Sequence, residues 1–172
     1  MKVKTIQNIR VAKSLMKNGK YVVPDGVMLS SNLIEPYKFM MKHYGYKNRP
    51  IFMCPVGYCA NFGGAKVDKE SVLISLDIPD RYCKIQDYYG WSDFIYFREM
   101  PWEYSAFNGC KDVNSFGEYV LDLYKDGFIG NKGTVYQVTT QFLLKKWVTG
   151  IGRVTDDFVN NYYDTGGVNI LI

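Results

Sequence analysis

Short strand-like and helix-like segments alternate along this chain at uneven spacing, and this irregular order most restricts the folds open to it. A doubly wound parallel sheet needs a regular βαβ rhythm, in which each strand is followed by a helix that crosses back over the sheet. The segments here do not keep that rhythm. We therefore expect an α+β fold with a twisted mixed or largely antiparallel sheet and three to four short helices.

Capping residues and glycines mark where the predicted helices begin and end. Asn8 is expected to cap the first helix, and Gly19 is expected to end it. Residues 32–35 have the form of a capping box, which predicts a second helix with Pro36 in its first turn. Residues 115–118 form another capping box and predict a third helix.

Runs of β-branched and aromatic residues predict the strands, and the clearest of them is residues 71–78. Periodicity does not decide whether residues 91–97 form an aromatic strand or a short helix. Further helical turns are expected at residues 142–147 and 156–163. The predicted strands are residues 2–7, 20–23, 27–29, 51–56, 71–78, 134–140 and 168–172.

The chain has 172 residues, which is enough for one sizeable core and too few for two ordinary ones. We therefore predict a single domain over residues 1–172. The formal charge is +4, from 21 basic and 17 acidic residues. The basic residues are scattered, and their densest group is Lys38, Lys42, Lys47 and Arg49. This pattern favours a solvated face and leaves a phosphate-facing or acidic-partner surface open, so direct nucleic-acid binding is not favoured.

Hydropathy along the chain predicts the cellular compartment of the protein. No apolar run approaches the roughly 18 residues of a membrane span, and residues 1–5 lead into no signal-peptide core. We therefore expect a cytoplasmic protein without a membrane partner. In a reducing cytosol its four cysteines are expected to be thiols or metal ligands rather than disulfides.

The cysteines suggest a zinc site. Four residues separate Cys54 from Cys59, and a turn of that length brings both thiols to one tetrahedral ion. Cys83 and Cys110 would complete a four-sulfur site, with His43 as a substitute ligand. The competing interpretation is that these cysteines are small buried hydrophobes.

The sequence carries no recognisable catalytic motif. His43 is the single histidine, so any serine or cysteine triad would have to use it. The glycine-rich residues 63–66 and 130–133 lack the full pattern of a phosphate-binding loop. These observations favour a binding protein over an enzyme without excluding the enzyme.

Three stretches of the chain carry a resemblance. They are residues 4–7 with the helix that ends at Gly19, residues 72–80 running into residues 91–94, and residues 135–138 leading to Trp147. Together they resemble an uncharacterised family of small bacterial proteins.

The order of strand, helix, glycine and later paired strands also resembles ADP-ribosyltransferase-like domains, which hold NAD in a cleft between two small sheets. This resemblance implies NAD-binding positions at Gln7, Tyr58, and Gln137 or Gln141. Transferases of that kind place a glutamate on the late strand, where its charge stabilises a developing cation. A neutral amide there cannot supply that charge. The resemblance therefore implies NAD binding, and it leaves open whether transferase activity is retained or decayed.

Size and composition resemble a second class, the small tyrosine-rich proteins of phages and mobile elements, some of which inhibit host defence nucleases such as Cas9. This anti-CRISPR-like hypothesis predicts a protein partner. Aromatic residues beside turns would anchor it, because large aromatic side chains dominate interface energetics. The predicted anchors are Tyr89, Trp91, Trp102 and Tyr104, and the alternative that these rings fill the core stays open. Interaction protein and NAD-binding protein are therefore the two function hypotheses, in that order.

Overall fold

The computed structural model of the protein describes residues 1–56, 67–104, 109–124 and 135–154. Within these ranges four α-helices pack around a six-stranded sheet and a separate two-stranded sheet. Every described strand pair is antiparallel. The predicted α+β class is confirmed.

The large sheet is built from strands that lie far apart in the chain. Its strands are β1 (Lys2–Asn8), β3 (Ile51–Pro55), β4 (Ser71–Asp77), β5 (Lys84–Asp87), β6 (Tyr136–Thr140) and β8 (Val148–Arg153), in the order β5-β6-β3-β1-β4-β8. The small sheet pairs β2 (Lys20–Tyr21) with β7 (Leu143–Leu144). Strand β1 lies inside the large sheet, where Val3 is opposite Pro55 on one side and Leu76 on the other.

The four helices are α1 (Ile9–Asn18), α2 (Ser31–Tyr44), α3 (Tyr88–Glu99) and α4 (Val113–Asp122). The predicted ends of α1 are confirmed. The Asn8 side chain accepts a hydrogen bond from the Arg10 amide, and Gly19 ends the helix with φ of 77°. This left-handed conformation suits glycine because glycine has no Cβ. None of the described helices is long and apolar enough to span a bilayer.

Both predicted capping boxes are wrong, although the helices exist. Helix α2 follows Ser30, which makes no side-chain cap, and Pro36 lies inside the helix rather than in its first turn. Helix α4 is capped by Asp112, whose carboxylate accepts hydrogen bonds at 2.8 Å from both the amide and the hydroxyl of Ser115. Asp112 lies three positions earlier and its carboxylate reaches that amide directly, so Ser115 becomes a first-turn donor rather than the cap.

Other segments differ from the prediction or resolve an alternative that it left open. Residues 27–29 form no strand, and β2 keeps only two of the predicted residues. Residues 91–97 belong to α3, which begins after Asp87 because that carboxylate accepts a hydrogen bond from the Gly90 amide at 2.7 Å. Strand β7 replaces the first part of the helical turn expected at residues 142–147. The predictions for residues 156–163 and 168–172 lie outside the described residues.

Different clusters of side chains cover the two faces of the large sheet. Neighbouring residues of a strand point to opposite faces, and on β3 Met53 belongs to one cluster whereas Phe52 packs against the other. The aliphatic core lies on the α1 side and includes Val3, Leu15, Ile51, Met53, Ile74, Leu76, Ile85 and Val138. The aromatic core lies under α2, α3 and α4 and consists of Met40, Trp91, Phe94, Phe116, Val120 and Leu121.

Candidate functional site

A cavity of about 350 Å³ lies where β1, β3 and β6 meet helices α2 and α3. Its lining is mainly apolar and aromatic, and it includes Tyr37, Phe52 and Trp91. Two glutamines, Gln7 and Gln137, also line it. Apolar walls with a few placed polar groups are typical of small-molecule sites, and this volume is at the lower end of their range. We call this space the amide cavity.

Local hydrogen bonds fix the orientation of the Gln7 amide. Its Nε2 atom donates to Thr5 Oγ1 at 2.8 Å, and Thr5 Oγ1 in turn donates to the Phe52 carbonyl at 2.9 Å. The chain thus occupies one hydrogen of the amide and holds the group in place. The carbonyl oxygen Oε1 of Gln7 has no hydrogen-bond donor among the described residues, so it is available to accept one from a ligand.

Gln137 is oriented by its cross-strand neighbour Gln86. The Gln86 Nε2 atom donates to Gln137 Oε1 at 3.3 Å, and both side chains are buried. The Oε1 atom of Gln86 is buried without a partner among the described residues. This pairing leaves Gln137 Nε2 as a donor that no described residue engages. Because buried amides are normally satisfied, the pair is an unusual polar element beside an apolar cavity.

Tyr37 and Arg49 add a hydroxyl and a charge to the same cavity. Burial raises the pKa of Tyr37 to about 12, while the nearby Arg49 guanidinium acts in the opposite direction. The phenol therefore stays neutral at physiological pH. Arg49 donates to the carbonyls of Val27 and Asp25, which ties the 25–27 turn to the cavity rim. Among the described lining residues, Arg49 is the one with a permanent charge.

The NAD-binding positions implied by the resemblance are only partly brought together. Gln7 and Gln137 line the amide cavity. Gln141 is not among the residues that line it, and its Oε1 accepts a hydrogen bond from the Lys47 amide at 2.9 Å. Tyr58 lies outside the described residues. Gln86, which orients Gln137, was not predicted because only the pairing of β5 with β6 brings the two together.

The four predicted partner anchors fall into different environments. Tyr89 is 60% exposed in the first turn of α3, and Trp102 is 75% exposed in the short turn Pro101–Glu103 that follows the helix. Trp91 is 4% exposed and belongs to the aromatic core, where its ring centroid lies 5.3 Å from that of Phe94. Tyr104 is half-buried, and its hydroxyl donates to the Cys110 carbonyl at 3.0 Å.

The described cysteines are separated by the sheet. Cys83 belongs to the aliphatic core, whereas Cys110 packs against the aromatic core, and Cys54 is buried in β3. Burial raises the pKa of the Cys83 thiol to about 11. No group of three or more histidine, cysteine or acidic side chains is placed to share a metal ion in the described ranges, and Cys59 lies outside them. Zinc stays a prediction, which elemental analysis of protein purified without added metal would test.

A second cavity, of about 420 Å³, contains an ion-pair geometry that the sequence did not reveal. His43 Nε2 lies 2.8 Å from Asp122 Oδ1, and Cys83 lines the same space. A thiol–imidazole–carboxylate set would require the thiol to hydrogen bond to the imidazole. No such bond joins Cys83 to His43 in the described structure, and the raised pKa of the thiol disfavours the nucleophilic thiolate.

Comparison with known proteins assigns no relative. No protein-family model matches the chain, and neither a curated protein nor a solved structure is detectably similar to it.

Proposed function

We propose that the protein binds a small molecule in the amide cavity, through a planar, uncharged ring that carries a hydrogen-bond donor and an acceptor. The observation that carries this proposal is that two glutamines, Gln7 and Gln137, line one cavity whose walls are mainly apolar and aromatic. Gln7 offers an acceptor and Gln137 offers a donor, and the chain itself fixes both amides. A carboxamide group is the simplest complement to that pair because it has one acceptor oxygen and a donor nitrogen.

NAD is the ligand we propose to test first. The resemblance to ADP-ribosyltransferase-like domains suggests it, and its nicotinamide ring carries a carboxamide. The aromatic walls suit such a ring, and Arg49 at the rim offers a positive charge to a phosphate. The cavity volume is small, so we expect it to hold one end of an extended ligand.

The proposed activity is binding rather than transfer. Gln137 stands on a late strand, where the resemblance implies a glutamate. Its neutral amide is buried against Gln86 and cannot supply a carboxylate's charge to a developing cation. We therefore propose that the chain holds its ligand without transferring a group from it.

Isothermal titration calorimetry with NAD, nicotinamide mononucleotide and ADP-ribose tests this proposal. We expect the two nicotinamide compounds to bind and ADP-ribose, which lacks that ring, to bind more weakly. Gln7→Leu and Gln137→Leu should each weaken binding about tenfold or more, because each leaves a polar ligand group unpaired in an apolar site. Gln141→Leu is the matched control, because Gln141 does not line the cavity.

Absence of heat with all three compounds at millimolar concentration would refute NAD as the ligand. Equal losses in the Gln141→Leu control and in the two cavity variants would show that the effect is general destabilisation. In that case the amide cavity would not be the binding site.

We infer a second candidate function, binding and inhibition of a host macromolecule such as an RNA-guided defence nuclease. Its support is the 75% exposure of Trp102, since so large a ring is seldom left in solvent on a monomer. Adding the protein to a nuclease cleavage assay tests it. We expect inhibition that Trp102→Ala abolishes and Tyr119→Ala, a control on α4, retains. Full cleavage in the presence of excess wild-type protein would count against this candidate.

A further inference from the structure

The exposed side of α3 carries aromatic and acidic residues together. Tyr89, Asp93 and Tyr96 are four and three positions apart, so they lie on one face of the helix. Glu99 continues that face by three more positions. The short 3₁₀ turn Pro101–Glu103 extends it, and the Tyr96 hydroxyl donates to the Glu103 carboxylate. We call this surface the α3 stripe, and its members are Tyr89, Asp93, Tyr96, Glu99, Trp102 and Glu103.

The stripe has an uncompensated negative charge. Asp93, Glu99 and Glu103 form no ion pair with any described residue. The basic residue of α3, Arg98, is directed elsewhere. Its Nη1 donates to Asn114 Oδ1 at 2.7 Å, and its guanidinium carbon lies 5.4 Å from the centre of the Phe94 ring. Arg98 is therefore engaged by α4 and the aromatic core.

At the N-terminal end of the stripe, Asp93 lies near a second carboxylate, that of Asp87. Partial burial and the nearby Asp87 carboxylate both raise the pKa of Asp93. Asp87 is held in place because it caps α3 through the Gly90 amide. A cation from outside the chain would relieve this repulsion, since an opposite charge within a few ångströms favours the ionised carboxylates.

We propose that the α3 stripe docks on a basic, arginine- and lysine-rich segment of a partner protein. Three carboxylates offer ion pairs to such a segment, and the exposed faces of Tyr89 and Trp102 offer cation–π contacts. Arginine is suited to both because its guanidinium pairs with carboxylates and stacks on aromatic rings. This inference rests on the second candidate function, and it fits a nuclease because surfaces that bind nucleic acid are basic.

Fluorescence anisotropy with a labelled peptide of six Arg-Gly repeats tests the proposal, with a Glu-Gly peptide of equal length as the contrast. We expect the arginine peptide to bind the wild-type protein, with an affinity that falls as salt rises, and the glutamate peptide not to bind. Trp102→Ala should weaken binding about tenfold, as expected for an aromatic anchor. The double variant that combines Glu99→Gln with Glu103→Gln should weaken binding of the arginine peptide about fivefold.

Two controls on α4 match these changes in chemistry. Glu118→Gln removes an exposed carboxylate, and Tyr119→Ala removes an exposed aromatic ring, both outside the stripe. We expect neither to change the affinity for the arginine peptide. Equal losses in control and stripe variants would overturn the assignment to α3, as would the absence of binding to the arginine peptide.

A single-stranded oligonucleotide serves as the third probe. Oligonucleotide binding that Trp102→Ala weakens would overturn the proposal, because the stripe would then engage nucleic acid rather than a basic protein segment.

The nuclease assay separates failure of the docking proposal from failure of the second candidate function. If Trp102→Ala abolishes nuclease inhibition but the arginine peptide does not bind, partner binding stands and the basic character of the partner is wrong. If the arginine peptide does not bind and the wild-type protein does not inhibit the nuclease, the docking proposal and the second candidate function are both wrong.

Discussion

The two faces of the six-stranded sheet are covered in different ways. On the α1 side, aliphatic side chains such as Ile74 and Leu76 meet Leu15 in a core that is almost fully buried. On the other side, three helices bring large rings against the sheet, and the buried Gln137 lines a cavity there. Protein interiors are close-packed whether their side chains are aliphatic or aromatic, so the two faces differ in the polar groups that they hold.

This difference indicates that the α1 side serves mainly stability, whereas the helical side also carries the candidate binding sites. The mainly aliphatic layer on the α1 side contributes through burial. The helical side contributes burial as well, but it also supports the amide cavity and, through α3, the exposed stripe. Substitutions on the two faces should therefore differ in what they change besides stability.

The largest expected effect comes from removing one core side chain on each face. Ile74→Ala should lower the free energy of unfolding by about 2–5 kcal/mol, and Phe94→Ala by about 3–5 kcal/mol, because each leaves a cavity. Phe94→Ala should also weaken ligand binding, since Trp91 lines the amide cavity and contacts Phe94. Urea denaturation with calorimetry at low temperature measures both quantities. Equal loss of ligand affinity in the two variants would remove the distinction between the faces.

A methyl group added to α4 tests how tightly the aromatic core is packed. A Cβ at Gly117 would clash with the Phe94 ring and lie 2.8 Å from Phe39 Cε1. Gly117→Ala should therefore cost about 1–3 kcal/mol despite the better helix propensity of alanine. Gly26→Ala is the control, because a Cβ there would meet no atom within 4 Å. Unchanged stability of Gly117→Ala in urea denaturation would mean that the rings can move apart.

Alkaline pH should act on the helical face through its buried phenols. Burial raises the pKa of Tyr37 to about 12, whereas the unfolded chain ionises near 10. The unfolded state therefore loses its proton first, and stability falls as pH rises from 10 towards 12 by up to about 1.4 kcal/mol per pH unit. Tyr37→Phe should reduce that slope, as followed by denaturation at several alkaline pH values. An unaltered slope would show that Tyr37 ionises freely in the folded protein.

The smallest expected effect concerns the cap of α4. Hydrogen bonds from Ser115 lower the pKa of the Asp112 carboxyl below its ordinary value of 3.8. The stabilising contribution is therefore present at neutral pH and is lost as pH falls below that ordinary value. Asp112→Ala should melt slightly earlier than wild type at pH 7, and the difference should vanish in strong acid. A constant difference across that range would assign the effect to something other than the charge.

The sequence predicted the individual helices and strands better than it predicted how they pack together. Local chemistry was enough for α1, because Asn8 and Gly19 mark its ends without help from the rest of the chain. It failed at α4, where Asp112 rather than Ser115 caps the helix. Trp91 resembled an exposed anchor because glycine and tyrosine precede it, yet the position of α3 over the sheet buries it. The pairing of Gln137 with Gln86 depends on strand order, which no local pattern contains.

The pairings of the large sheet have a consequence for the speed of folding. Strand β1 must meet β4, where Lys2 is opposite Asp77, and even the Asp87–Tyr136 pairing closes a loop of about fifty residues. None of the described strand pairs is a local hairpin that could form early and guide the others. Chains with such high contact order fold in milliseconds to seconds. During that interval the unpaired edges of β1 and β3 are exposed, so rapid refolding at high concentration should favour aggregation over the native state.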